Sequence, residues 1–157
     1  MKLDSKRVDD TSGAATELGY IFTFLLGVLL LSVFSIWTYD IETATRDRWN
    51  EQAIQMNLDD LAAAIERADE ASRLGDIEYT ESVWWRATEA DENLLSLQLT
   101  NNSLILIDDG GSLDTEVFVS GTGSGSHGGT IELSGAQMIW VSHKDGITSI
   151  DLDRPQY

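Results

Sequence analysis

The chain has 157 residues, no cysteine, and 27 acidic against 10 basic side chains, for a net charge of −17 at pH 7. This composition excludes disulfides, thiol catalysis and cysteine-type zinc sites. It also excludes a general nucleic-acid or anionic-lipid binder, because such proteins draw their affinity from Lys and Arg neutralising phosphate.

Met1 to Glu17 form a short head carrying Lys2, Lys6 and Arg7. The next twenty residues, Leu18 to Trp37, contain no formal charge. At about 1.5 Å per residue they reach about 30 Å, the thickness of a bilayer hydrocarbon core. The sequence therefore predicts a transmembrane helix over 18–37, with the lipid bilayer as its surroundings. Trp37 and Tyr39 close the run as an interfacial belt does. The run is also longer than the apolar core of a secretory signal peptide, so retention is expected over removal. Beyond the span only Arg46 and Arg48 lie near it, among Asp40, Glu42, Asp47 and Glu51. The basic bias sets the N-terminus in the cytoplasm and the C-terminal domain outside. From Thr38 to Tyr157 there are 23 acidic and 7 basic residues, a net of −16. In molar salt the Debye length falls to about 3 Å and such self-repulsion is screened, which predicts instability in dilute buffer.

The helical pattern continues past the span. Ile41, Ala44, Trp49, Ala53, Ile54, Leu58, Leu61, Ala62, Ile65, Ala68 and Ala71 recur at helical spacing between charged residues, which predicts an amphipathic helix over 38–75. No Pro or Gly occurs from Val28 to Leu74, and Gly75 stands where a helix C-cap places glycine.

After Gly75 the period changes to that of strands. Ser82 to Trp85, Asn93 to Leu99, Ser103 to Ile107, Glu116 to Ser120, Thr130 to Leu133, Ala136 to Ser142 and Gly146 to Leu152 are short runs rich in β-forming residues. Turn signals at Asn101-Asn102 and at Asp108 to Gly111 separate them, and Lys144-Asp145-Gly146 predicts a hairpin. Gly121 to Gly129, with five glycines, reads as a flexible loop. The fold class expected is α+β: a long N-terminal helix, half transmembrane and half amphipathic, followed over 76–157 by an exported antiparallel sheet of about five to seven strands that wraps one face of the aqueous half-helix.

Few residues suggest chemistry. Asn101-Asn102-Ser103 is a glycosylation sequon in an exported turn, with Asn101 as the acceptor. Asp108, Asp109, Asp114 and Glu116 offer oxygen ligands, but their spacing fits no EF-hand, and they read as a solvated turn. His127 and His143 are isolated in sequence and read as surface residues. No G-x-S-x-G motif or phosphate-cradling loop occurs, so the expectation is a protein that is not an enzyme and takes no cofactor or metal. Trp84, Trp85 and Trp140 read as core anchors, although adjacent Trp84 and Trp85 must face opposite sides of a strand, leaving one available for contact.

The order of these parts resembles that of type IV pilins, in particular the pilin-like proteins of haloarchaea. The resemblance rests on the basic head, the small-residue junction Ser12-Gly13-Ala14-Ala15, the acid Glu17, the apolar run, its aqueous extension and the C-terminal β-domain. It implies a structural subunit of a cell-surface filament. A prepilin peptidase cuts such subunits near the junction, an assembly platform withdraws them from the membrane, and other pilin-like subunits pack around their helices. The cut is expected around Gly13: cleavage after Ser12 puts Glu17 at the fifth mature position, and cleavage after Gly13 or Ala14 moves it nearer the new end, where the resemblance implies pairing with the new α-amino group of a neighbour. The plain reading of Glu17 is a first-turn carboxylate favoured by the helix dipole. Asp9-Asp10-Thr11 separate Arg7 from the junction, which departs from the usual pattern. Gly19, Gly27, Leu30, Phe34 and Ile41, together with Ala44, are the expected helix-to-helix assembly residues, the glycines allowing close approach in lipid. The alternative is a single-pass envelope protein that never assembles and whose outer domain binds a partner or ligand.

Overall fold

The structure, a computed structural model, describes residues 11–75, 77–119 and 125–156, with side chains from Glu17 onward. The chain divides into two compact units, one ending at Thr45 and the other beginning at Arg46.

Helix α1 spans Thr11–Ser72, so helix already covers the junction expected to precede it. Its end tightens into i to i−3 bonds, from Arg73 N–H to Glu70, Leu74 N–H to Ala71 and Gly75 N–H to Ser72, and Gly75 then takes a φ of 143° that favours glycine. The C-terminal part of α1 buries Ile54, Leu58, Leu61, Ala62, Ile65 and Ala68, one face at three- and four-residue spacing. Asn57, fully buried between them, makes a paired contact with the chain leaving the first strand. Its Nδ2 donates to Arg86 O at 2.9 Å, and Arg86 N–H donates to its Oδ1 at 3.0 Å.

Seven strands follow: β1 Tyr79–Trp84, β2 Leu95–Leu99, β3 Ser103–Asp108, β4 Thr115–Phe118, β5 Ser126–Glu132, β6 Met138–Lys144 and β7 Ile147–Asp151, with one 3₁₀ turn at Glu92–Leu94 before β2. They form one sheet in the order β1-β6-β7-β5-β2-β3-β4. Alternation sorts its faces: Val83, Leu95, Leu97, Leu99, Leu104, Leu106, Ile131, Ile139, Val141 and Ile150 turn inward and share one core with the α1 residues. Trp85, just past the end of β1, is buried with them at 2% exposure, whereas Trp84 is 61% exposed, as alternation along an extended chain requires. Trp140, expected in the core, instead lies half-buried on the other face, with the Arg154 guanidinium 5.5 Å from its ring centroid.

The sheet is mixed, not antiparallel throughout. Strand β7 pairs antiparallel with β6 but parallel with β5, Ser126 facing Ile147 and Gly128 facing Ser149. The cause is insertion: β6 returns from β5 one position away, and β7 turns back from β6 into the gap. The β6–β7 hairpin closes on Asp145 (φ 51°) and Gly146 (φ 79°), the two left-handed residues that a two-residue turn of the primed kind demands. The expected Gly-rich loop is also shorter than its composition suggests, since Ser126 to Gly129 belong to β5. The glycines there answer crowding. A Cβ at Gly125 would lie 2.5 Å from Gly146 O, and one at Gly129 would lie 3.1 Å from Ile150 O with φ at 145°.

Candidate functional site

The first candidate is the apolar part of α1. Within the unit that ends at Thr45, every described side chain from Glu17 onward is exposed. The helix is long and apolar enough to cross a membrane, and none of its most apolar eighteen-residue window is buried within the chain. Its hydroxyls are satisfied locally. Thr23, Ser32, Ser35 and Thr38 each donate to the carbonyl four residues back, on Gly19, Val28, Leu31 and Phe34, at 2.8–2.9 Å. These four hydroxyls are therefore satisfied within the helix itself. Phe34 and Trp37 meet edge to face, with centroids 6.1 Å apart.

Of the assembly residues expected from sequence, Gly27, Leu30, Phe34 and Ile41 fall on one helical face at spacings of three, four and seven, and the three side chains are exposed. A Cβ at Gly19 or Gly27 would meet nothing within 4 Å, so no contact inside the chain requires either glycine. Glu17 is exposed. Ser12, Gly13, Ala14 and Ala15 fall in the first turns of α1 by backbone, and their side chains lie outside the described residues, as does the head Met1 to Asp10.

The second unit corrects both histidine expectations. His127 and His143 are buried, at 9% and 6% exposure, in one polar network. His127 Nε2 lies 2.7 and 2.9 Å from the two carboxylate oxygens of Asp69, so it donates to them. Thr148 Oγ1 donates to Asp69 Oδ1 at 3.0 Å and therefore accepts from His143 Nδ1–H at 2.8 Å. One carboxylate from the last turns of α1 thus ties the helix to β5 and β7, and β7 to β6. The strand geometry places these groups: His127 pairs with Thr148 across the parallel ladder, and Thr148 with His143 across the hairpin. His127 Nδ1 has no partner.

The Asp108 turn is also structured and not merely solvated. Asp108 is 8% exposed, and its carboxylate accepts the N–H groups of Gly110 (2.8 Å), Ser112 (3.1 Å) and Leu113 (3.2 Å) plus the Ser112 hydroxyl. Burial pushes its pKa up, but these donors outweigh burial and hold it below the usual aspartate range. Asp114 caps the same loop by accepting Asp108 N–H at 2.7 Å. The carboxylates at this turn close a loop, and among the described residues no group of three or more His, Cys, Asp or Glu is placed to hold a metal.

Asn101 is exposed in the turn between β2 and β3, and its Oδ1 accepts His127 N–H at 2.9 Å. Ser103, the sequon serine, is buried and shares a hydrogen bond with the Thr100 hydroxyl at 2.9 Å. At the C-terminal end of β1, Trp85, Glu92 and Gln137 gather around a recess that no sequence motif indicates.

No family model, curated protein or solved structure matches the chain. Its function must be read from its own geometry.

Proposed function

We propose that this chain is a structural subunit of a cell-surface filament of the type IV pilin-like kind, held in the bilayer by 18–37 before assembly and carrying its β-domain outside. The observation that supports this reading most is the division of labour along α1. From Ile54 onward its apolar face is consumed by the domain's own core, while the stretch from Leu18 to Ile41 keeps every large side chain exposed. Exposed apolar surface of that extent needs lipid or other helices to cover it.

In a filament the same surface passes from lipid to neighbouring copies, with Gly27, Leu30, Phe34 and Ile41 on the contact face and Gly19 and Gly27 permitting close approach. Glu17 then pairs with the α-amino group that a prepilin peptidase creates at the Ser12-Gly13-Ala14-Ala15 junction. A carboxylate at the hydrocarbon edge is costly without such a partner. The partners are the bilayer, other pilin-like subunits and an assembly platform. The acid-rich outer surface fits an archaeal, halophilic setting.

Intact mass and N-terminal sequence, taken from native membranes and from sheared surface filaments, test the reading. A new N-terminus between Ser12 and Glu17 in filament material supports it. A chain that retains Met1 and is found only in membranes overturns it in favour of a single-pass envelope protein.

A further inference from the structure

We propose that Asn101 is the acceptor of an N-linked saccharide, and that the saccharide is attached before the β2–β3 hairpin closes. In Asn101-Asn102-Ser103 the amide receives the sugar and the hydroxyl two residues on is what the transferring enzyme reads. The fold decides where that amide stands and in what state that hydroxyl is found.

Asn101 and Asn102 make the turn between β2 and β3, and both are exposed. The Asn101 amide has a fixed orientation. His127 N–H is a donor, so the atom 2.9 Å from it is Oδ1, and Nδ2 is the half of the amide left over. Among the described residues Nδ2 has no hydrogen-bond partner. An N-linked saccharide replaces one hydrogen of that nitrogen and leaves the carbonyl oxygen as it was. The finished glycan therefore disturbs none of the hydrogen bonds that Asn101 makes.

Ser103 is in the opposite condition. It is 4% exposed and pairs with Phe118 of β4 across the ladder. Thr100 Oγ1 gives its one proton to Ser103 O at 3.0 Å, so in the 2.9 Å contact between the two hydroxyls Ser103 is the donor. Ser103 N–H also donates to Thr100 Oγ1 at 3.0 Å, and Thr100 N–H donates to Ser103 O at 2.8 Å. A turn tied in this way does not extend into an enzyme's cleft, and a buried hydroxyl that is already donating is not read there. The motif is accessible in the unfolded chain and closed in the folded one.

The step is a substitution at the anomeric carbon of a polyprenyl-phosphate-linked saccharide. Asn101 Nδ2 bonds to C1, the bond from C1 to the phosphate oxygen breaks, the lipid phosphate leaves with the electron pair, and the amide proton passes to a base of the transferase. The inference rests on the reading that places the β-domain outside, since such transfer belongs to exported segments.

The test begins with the mass of the tryptic peptide from Ala87 to Lys144, taken from the full chain in native membranes. Added mass equal to whole sugar residues is expected, lost in Ser103→Ala and kept in Ser103→Thr. Sugar retained in Ser103→Ala overturns the assignment to Asn101. A membrane-impermeant amine reagent on intact cells reads orientation separately through Lys144, whose side chain is 46% exposed. Labelled Lys144 with a bare peptide overturns this proposal and leaves the filament reading standing. Unlabelled Lys144 with a bare peptide overturns the outward orientation, and this proposal with it. Pulse-labelling reads the order of events: the glycosylated fraction is expected to be set by the end of a short pulse. A rise through the chase, in which folded bare chain gains sugar, overturns attachment before closure.

Discussion

Asp69 is the side chain on which the joint between α1 and the mixed sheet turns, and its removal has a calculable cost. In Asp69→Ala the acceptor for His127 Nε2–H and Thr148 O–H disappears, and both donors stay buried, since the His127 side chain is 2% exposed and Thr148 is 0% exposed. An orphaned buried donor costs about 1–3 kcal/mol, and two are left here, so a loss of about 2–6 kcal/mol is expected. Asp69→Asn keeps the shape and one acceptor oxygen. That oxygen, at the Oδ1 position, stays within reach of both His127 Nε2–H and Thr148 O–H, so what is lost is mainly the charge assistance, about 1 kcal/mol. The assay is urea unfolding of the full chain in detergent at high salt, followed by near-ultraviolet circular dichroism, which reads the environment of buried Trp85. The separation between the two variants is the decisive quantity. If Asp69→Ala lies within about 1 kcal/mol of the parent, or Asp69→Asn is as damaging as Asp69→Ala, the network does not carry the joint as argued.

Four further outcomes are expected. Gly129→Ala puts a Cβ 3.1 Å from Ile150 O at a φ of 145° and should cost about 1–3 kcal/mol by the same unfolding assay, more than Gly135→Ala, which meets nothing within 4 Å at a φ of 69°. Acid should unfold the domain in part through Glu81 and Asp108. Arg67, bonded to Glu81 at 2.7 Å, holds that carboxyl low, with Tyr79 assisting, and the loop donors hold Asp108 low. Lowered folded-state values mean that the native chain binds fewer protons than the unfolded one. This stability is therefore present above the unfolded carboxylate range near about pH 4 and is lost as pH falls through the folded values. A pH series on Asp108→Asn should show a flatter acid limb, and an unchanged limb refutes the assignment. Gly27→Ile touches nothing inside the chain, so it should leave folding and membrane insertion intact while filament yield falls, as counted by electron microscopy of sheared material. Dialysis of the full chain in detergent from molar to dilute salt should loosen the β-domain, with the net −16 carried from Thr38 onward no longer screened; identical circular dichroism at both salts argues against salt dependence.

Much of this architecture is legible in the chain. The apolar run from Leu18 to Trp37 and the stripe from Ile54 to Ala68 declare a helix because a period near 3.6 persists without Pro or Gly to break it. Each of the seven strands shows itself in a short β-forming run, and Asp145-Gly146 announces the hairpin. What stays hidden depends on distance in sequence. His127 looks like a lone side chain among glycines because its partner Asp69 lies 58 residues upstream, and nothing local marks the pairing. The glycines around it look like a flexible linker because composition does not distinguish freedom from crowding. At Gly125 and Gly129 they are what lets another strand's backbone pass close by. The parallel β5–β7 ladder escapes notice for a related reason: consecutive short strands suggest hairpins, and only the inserted position of β7 reverses one pairing. Trp85 Nε1 and Glu92 Oε1, buried without a hydrogen-bond partner, leave no pattern at all, since an unmet hydrogen bond exists only once the chain is folded.

The scarcity of positive charge gives the domain a further logic. From Thr38 onward there are seven basic residues, and four form ion pairs between separate parts of the fold. Arg67 joins α1 to Glu81 of β1, and Arg86 reaches back from the chain after β1 to Asp60 of α1. Lys144 of β6 meets Glu78 ahead of β1, and Arg46 of α1 sits 3.8 Å from Glu89. A fifth, Arg154, lies against the Trp140 ring. Exposed pairs of this sort contribute little each, about 0–1 kcal/mol, and lose part of that in salt. Their placement still has a consequence: basic side chains engaged within their own chain are not offered to a second copy, whose outer surface is as acidic as the first. In the filament proposed above, attraction between copies comes from the exposed apolar helix, and the acidic domains repel one another. That arrangement favours an assembly governed by helix packing and tuned by salt over one held together by contacts between sheets.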